Sequence, residues 1–160
     1  MNQKLLKHLL NYDSKTGIFT WKNPIGDRVK KGYVAGQFNK KGYCLIRYNY
    51  KLYLAHRLAW LYVYGKNPKN IIDHINGKTS DNRISNLRDV TLKINAQNTL
   101  KPHKNNKNGC MGVTWDYNKW GVRIRTDKGR IQIGRYDNLE DAKDAYLLAK
   151  QKYHSLALLS

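Results

Sequence analysis

The chain has 160 residues, with 30 Lys and Arg against 11 Asp and Glu, a formal net charge of +19. That excess is far above what a small domain needs for solubility, so the surface suits a polyanion, with nucleic acid as the first candidate. The 41% apolar content and the 12 Tyr and 4 Trp exclude a disordered basic tail. The longest apolar stretch near the middle, Leu58 to Tyr64, is too short to cross a bilayer.

The opening MNQKLLKHLL has no apolar core followed by a small-residue cleavage site, so export is not expected. Residues 3–11 place Leu5, Leu6, Leu9 and Leu10 on one helical face. Tyr12 to Gly17 reads as a turn and Ile18 to Trp21 as a short strand, ended by Pro24 and Gly26. Further strands are expected at Val34–Gly36 and Tyr43–Tyr48, joined by the turn Asn39–Gly42. Asn49-Tyr50-Lys51 is a tight turn into Leu52–Leu54. Ala55 to Tyr64 is helical and stops at Gly65, with Pro68 behind it. Cys44 and Cys110 form no CxxC pair and are expected as reduced, half-buried thiols.

Residues 71–98 carry the chemistry. Short strands around Ile71–His74 and Leu87–Val90 form a ribbon, and a helix over 91–99, with Thr91 as its N-cap, lies across it. Asp73 ends the first strand and Asn95 sits about one turn into the helix. Their oxygens are hard ligands that suit Mg²⁺ or Mn²⁺, with a substrate phosphate and waters completing the shell. His74 points away from Asp73 on a strand, and a neutral imidazole is a good general base near neutral pH. Asn86 could hold the imidazole or the loop by hydrogen bonding. His56 is read as structural or as a phosphate contact, and His8, His103 and His154 as exposed or capping. Trp21, Trp60 and Trp115 are expected in the core.

Residues 101–109, KPHKNNKNG, read as a basic linker. Beyond it, strands are expected at Gly112–Trp115, Trp120–Arg125 and Arg130–Tyr136. The turns between them are Asp116–Lys119 and Asp127–Gly129. A helix follows from Leu139 to about His154, with Asn138 at its N-cap and Glu140 and Asp141 in its first turn. Its inward face is expected to be Leu139, Ala142, Ala145, Tyr146, Ala149 and Tyr153. Strand alternation puts Trp120, Val122 and Ile124, with Ile131 and Ile133, toward the helix. It leaves Arg123, Arg125, Arg130 and Gln132 on a face without a carboxylate. Such a sheet can enter a DNA major groove, where Arg reads guanine and Gln reads adenine. Arg135 joins that face only if Gly134 introduces a bulge.

Two resemblances follow from these residues. Ala55-His56-Arg57-Leu58-Ala59-Trp60, Asp73-His74-Ile75-Asn76-Gly77, Asp81-Asn82-Arg83, Asn86-Leu87-Arg88 and Asn95-Ala-Gln-Asn98 together resemble the HNH nuclease family, the ββα-metal group, and in particular its phage and intron homing endonucleases. The resemblance covers roughly residues 50–99. It implies His74 as general base, Asp73 and Asn95 as ligands of one Mg²⁺ or Mn²⁺ ion, and Asn86 as the residue that positions the histidine. Many members have His where Asn95 stands, and Asn98 is a second candidate for that ligand. The family's paired CxxC zinc knuckles are missing here, which leaves packing to hold the core. Gly112-Val113, Trp115, Lys119-Trp120, Arg123-Ile-Arg125, Ile133-Gly134-Arg135-Tyr136 and Asn138-Leu-Glu-Asp-Ala142 leading to Ala145-Tyr146 resemble the plant ethylene-response-factor (APETALA-type) DNA-binding domain. That domain has three antiparallel strands and a helix and binds DNA through its sheet. Met111 and Thr114 stand where the plant pattern has arginines, so no base preference carries over.

The expected fold is therefore α+β. An HNH nuclease domain (1–100, core about 50–99) with a small β-rich N-terminal extension is followed by a linker (101–109). A three-stranded antiparallel sheet packed on one helix (110–160) completes the chain. The expected activity is a metal-dependent DNA endonuclease. Double-stranded DNA is the partner, contacted by Lys119, Arg123, Arg125, Arg130, Gln132 and Arg135 and along its backbone by Lys22, Arg28, Lys30, Lys31, Lys40 and Lys41. No membrane and no small-molecule cofactor is expected. The sequence does not set the oligomeric state, a monomer being slightly favoured, and a phage-type source would place the protein in the cytoplasm of an infected bacterium. The alternatives are a non-catalytic DNA-binding regulator derived from such a nuclease, or an RNA-binding protein.

Overall fold

The computed structural model describes residues 1–26, 29–98, 102, 106, 108–126 and 128–154. Arg28, Lys101 and His103, most of the expected linker, and Asp127 of the last hairpin turn lie outside the described residues. The chain divides into two compact units, one from Met1 to Leu92 and one from Lys93 onward. The division falls inside the helix that carries Asn95, after its first residue. Among the described residues no helix is long and apolar enough to cross a membrane.

In the first unit, helix α1 spans Gln3–Leu9, and the Asn2 side chain accepts a hydrogen bond from the Leu5 amide, supplying one of the partners that a helix start lacks. The helix is shorter than expected. Leu10–Asp13 forms strand β1, which pairs antiparallel with β2, Ile18–Trp21, so that Tyr12 opposes Phe19. Leu6, Leu9 and Leu10 are buried, whereas Leu5 is half-buried. Val34 makes only an isolated bridge to Thr20. The strand expected at 34–36 lies instead at β3, Gln37–Phe38, beside β4, Cys44–Tyr48. A turn with Asn49 and Tyr50 at φ 46° and 59° leads into β5, Lys51–Leu54. Two successive positive φ values define the hairpin turn whose twist matches the flanking strands.

Helix α2, Ala55–Tyr64, ends at Gly65 in the left-handed conformation. It buries Ala55, Leu58, Ala59 and Leu61 against Leu6, Leu9, Phe19 and Ile46. Each fully buried Leu in this core contributes roughly 1.5–3 kcal/mol. Trp21 and Trp60 pack on the same cluster. β6, Ile71–His74, and β7, Leu87–Val90, form the expected antiparallel ribbon. Helix α3, Leu92–Asn98, follows; all of it but Leu92 falls in the second unit.

In the second unit β8 (Val113–Asp116), β9 (Lys119–Thr126) and β10 (Gly129–Tyr136) make an antiparallel sheet in the order β10-β9-β8. Helix α4, Leu139–Tyr153, is capped by Asn138, which accepts from the Asp141 amide. Val113, Val122, Ile124, Ala142, Tyr146 and Ala149 form the core. Alanines at 142 and 149 bring the helix close to the sheet, and Gly112 shows how close. A Cβ there would lie 2.3 Å from the Tyr146 ring and 2.4 Å from the Arg123 carbonyl oxygen, at a φ of +70°. Two expectations fail here. Tyr153 is exposed while Lys150 is buried, because the inward stripe continues one residue past Ala149 rather than a full turn on. Trp115 is 55% exposed; it packs edge-on against Trp120, ring centroids 4.9 Å apart, at the rim of the core.

Candidate active site and nucleic-acid interface

The β6–β7 ribbon buries both residues of the Asp73-His74 pair, at 5% and 4% exposure. The antiparallel register sets Asp73 opposite Arg88 and His74 opposite Leu87. Arg88 donates Nε and Nη2 to Asp73 Oδ2 at 3.0 and 2.9 Å, a charge-assisted contact that holds the carboxylate. His74 Nε2 lies 3.2 Å from Asn82 Oδ1. Its ring meets those of His56 and Tyr43, with centroids 5.1 and 6.1 Å away. Burial lowers the pKa of His74 despite the opposing effects of the Asn82 contact and the Asp73 and Asp81 charges. The imidazole is therefore neutral near pH 7 and able to accept a proton.

The 75–86 loop is braced by Asn86. The Asn86 side chain accepts from the Asn76 amide at 3.0 Å and donates to the Asp81 carbonyl at 2.8 Å, and the Asn86 backbone oxygen takes the Ile75 amide at 2.9 Å. Asn86 thus bonds the loop, whereas Asn82 places a side-chain oxygen within hydrogen-bond distance of the imidazole. Arg83 binds Asp81 through Nε at 2.8 Å and Nη2 at 2.6 Å and holds that carboxyl well below the usual carboxylate range. Sequence reasoning missed Asn82 as an individual residue and missed Tyr43. Nothing in a local pattern marks Tyr43, which reaches the histidines from the end of another hairpin.

His56 lies in the first turn of α2 and is 5% exposed. Among the described residues its Nδ1 has no hydrogen-bond partner. Asn95 is half-buried on α3, in the second unit. Among the described residues no three His, Cys, Asp or Glu side chains cluster as a metal site. Cys44 and Cys110 are free and half-buried.

The second unit presents the basic sheet face. Arg123 opposes Gln132, and Arg125 opposes Arg130. Arg123 Nε donates to Gln132 Oε1 at 2.9 Å. The register shifts between Gln132 and Gly134, a bulge that turns Arg135 onto the Arg123 side. Both arginines reach Asp116 Oδ2 at 3.5 Å. The face is therefore not free of carboxylates, as the strand reading expected, because Asp116, counted there as a turn residue, ends strand β8 opposite Lys119. Lys119 pairs with Asp137 at 2.9 Å. Among the described residues no salt bridge engages Arg125 or Arg130, two like charges directly opposite one another, an arrangement that destabilises a sheet until an anion relieves it. His154 caps α4 and is buried, its Nε2 2.7 Å from the Arg125 carbonyl oxygen.

Residues 53–97, which hold this ribbon, its loop and α3, match the family model described as HNH endonuclease. Over that segment the chain is similar to HNH-type endonucleases. Among solved structures it is similar to one titled "DNA binding and cleavage by the HNH homing endonuclease I-HmuI", at 23% identity and a TM-score of 0.47, over 95% of this chain and 85% of that one. No curated protein sequence matches the chain.

Proposed function

We propose that the protein is a divalent-metal-dependent DNA endonuclease in which His74 is the general base for phosphodiester hydrolysis. The observation that supports this reading is the buried Asp73-His74 pair at the end of β6, inside the segment that matches the HNH endonuclease model. Neutral His74 takes the proton from the attacking water. Asn86 keeps the loop that follows it in shape, and Arg88 fixes the orientation of Asp73.

Asp73 and Asn95 are the proposed ligands of one Mg²⁺ or Mn²⁺ ion. Asp73 offers carboxylate oxygen and Asn95 an amide oxygen, and an ion that keeps waters and a substrate phosphate in its shell accepts so small a protein donor set. When bound, the ion supplies positive charge to the phosphoryl group and to the leaving 3′ oxygen. Double-stranded DNA is the proposed substrate. Lys119, Arg123, Arg125, Arg130, Gln132 and Arg135 face it from the C-terminal sheet, a role supported by the opposed Arg125 and Arg130 and by the resemblance of that segment to the ethylene-response-factor domain.

The test is plasmid nicking by the purified protein in Mg²⁺ or Mn²⁺. Nicking is expected with either ion and should stop in excess EDTA. His74→Ala should abolish cleavage with DNA affinity kept within about a few-fold, because the base acts in the chemical step. Asp73→Ala should be slower than Asn95→Ala, since it removes a charge as well as a ligand. Undiminished cleavage in chelator, or near-normal cleavage by His74→Ala, would overturn the mechanism.

A further inference from the structure

We infer that Asn82 is the positioning residue that sets the tautomer and pose of His74, and that the N-terminal β1–β2 hairpin is its support. This rests on the reading of His74 as the general base. Asn82 is 3% exposed, and its Oδ1 faces His74 Nε2 at 3.2 Å. An amide oxygen only accepts, so the ring presents Nε2–H to it and carries its lone pair on Nδ1.

The backbone of Asn82 is clamped from the far end of the sequence. Tyr12 Oη donates to the Asn82 carbonyl oxygen at 2.7 Å. The Tyr12 ring is wedged between Phe19 and Tyr62, with centroids 4.7 and 5.6 Å away, and burial pushes its hydroxyl up to about 12, so it stays a donor at any working pH. The turn after β1 lies flush against the next peptide: a Cβ on Gly17 would sit 2.4 Å from the Arg83 nitrogen and 2.5 Å from the Asn82 carbonyl carbon. Gly17 also has a φ of +75°, so both space and backbone demand glycine. Asp13 shapes that turn by accepting from the Lys15 amide at 2.9 Å and the Thr16 hydroxyl at 2.8 Å. A hairpin outside the segment that matches the nuclease model thus helps hold the residue that touches the imidazole.

Two readouts on the full-length chain test this. Imidazole ¹⁵N NMR at neutral pH should show His74 as the Nε2–H tautomer in the wild type. Asn82→Ala should collapse that preference, while Asn82→Asp, which keeps an acceptor oxygen, should retain it. In single-turnover cleavage, Asn82→Ala should be slower by about 10–100-fold with DNA affinity within about 2-fold. Tyr12→Phe, which keeps the ring packing and loses one hydrogen bond, should be slower by about 2–10-fold. An Nδ1–H tautomer in the wild type, or a tautomer unchanged in Asn82→Ala, would overturn the inference. If the wild type cuts nothing, the nuclease reading fails by itself, and the NMR arm still decides the role of Asn82.

Discussion

His56 and His74 face one another edge to face across 5.1 Å in a region too dry to charge either cheaply. Burial, then the His74 ring and the Arg57 charge, depress the pKa of His56 to about 4. In the unfolded chain a histidine titrates near 6.5. Between these values the unfolded state binds more protons than the native state, so stability rises with pH across that window and is lost as pH falls through it. The loss from His56 should be roughly 2 kcal/mol on going from pH 7 to pH 5, and His74, shifted in the same direction, adds to it. Urea unfolding midpoints at the two pH values measure the difference. His56→Gln should flatten the pH dependence, and an unchanged slope would show that other groups carry it.

At the scale of elements, the sheet of the second unit combines two arginine environments. Arg123 is tied to Asp116 and Gln132, whereas Arg125 stands against Arg130. Removing Arg125 should therefore weaken DNA binding without weakening the fold. Arg125→Ala is expected to cost roughly 1–3 kcal/mol on a preferred site if the side chain reads a base. A phosphate contact would instead lower affinity equally on all sequences and reduce the salt slope by about 1. Its melting temperature should stay at or above that of the parent chain, and a fall would mean that the arginine stem is a packing element. The strands on either side were legible because alternation and Gly or Asn turns mark them. So were α2, stopped by Gly65, and the β6–β7 ribbon. The α1–β1 boundary was not, because Leu5, Leu6, Leu9 and Leu10 fit a helical stripe until pairing with β2 claims Leu10. The Asp73-His74 pair announced itself by residue type and spacing. Asn82 as the partner of the imidazole did not, since its support from Tyr12 spans 70 residues of sequence and no local pattern records it.

For the whole molecule, the first unit holds a long stretch of unrelieved positive charge. From residue 28 to residue 72 there are ten Lys and Arg and not one Asp or Glu. A surface of that sign attracts DNA wherever its sequence lies, by counterion release, so the first unit should hold DNA without help from the second. Residues 1–100 alone, which include α3, are expected to retain weak metal-dependent nicking with site preference lost. Residues 110–160 alone should bind without cutting. Footprinting of both fragments on one target measures this, and a 1–100 fragment with full-length selectivity would show that the C-terminal sheet is not the reader.

The bulge in β10 has a consequence at the level of the gene. Ile133 is the extra residue that lets Gln132 stay opposite Arg123 while Gly134 moves opposite Val122. In coding terms the strand is one codon longer than its partner requires. An in-frame loss of that codon would straighten the strand and leave Arg135 opposite Gly121, whereas the same loss at Ile131 would turn Arg130 inward, toward α4. The arginine-bearing face is protected against a slip at one codon and exposed to it two codons earlier.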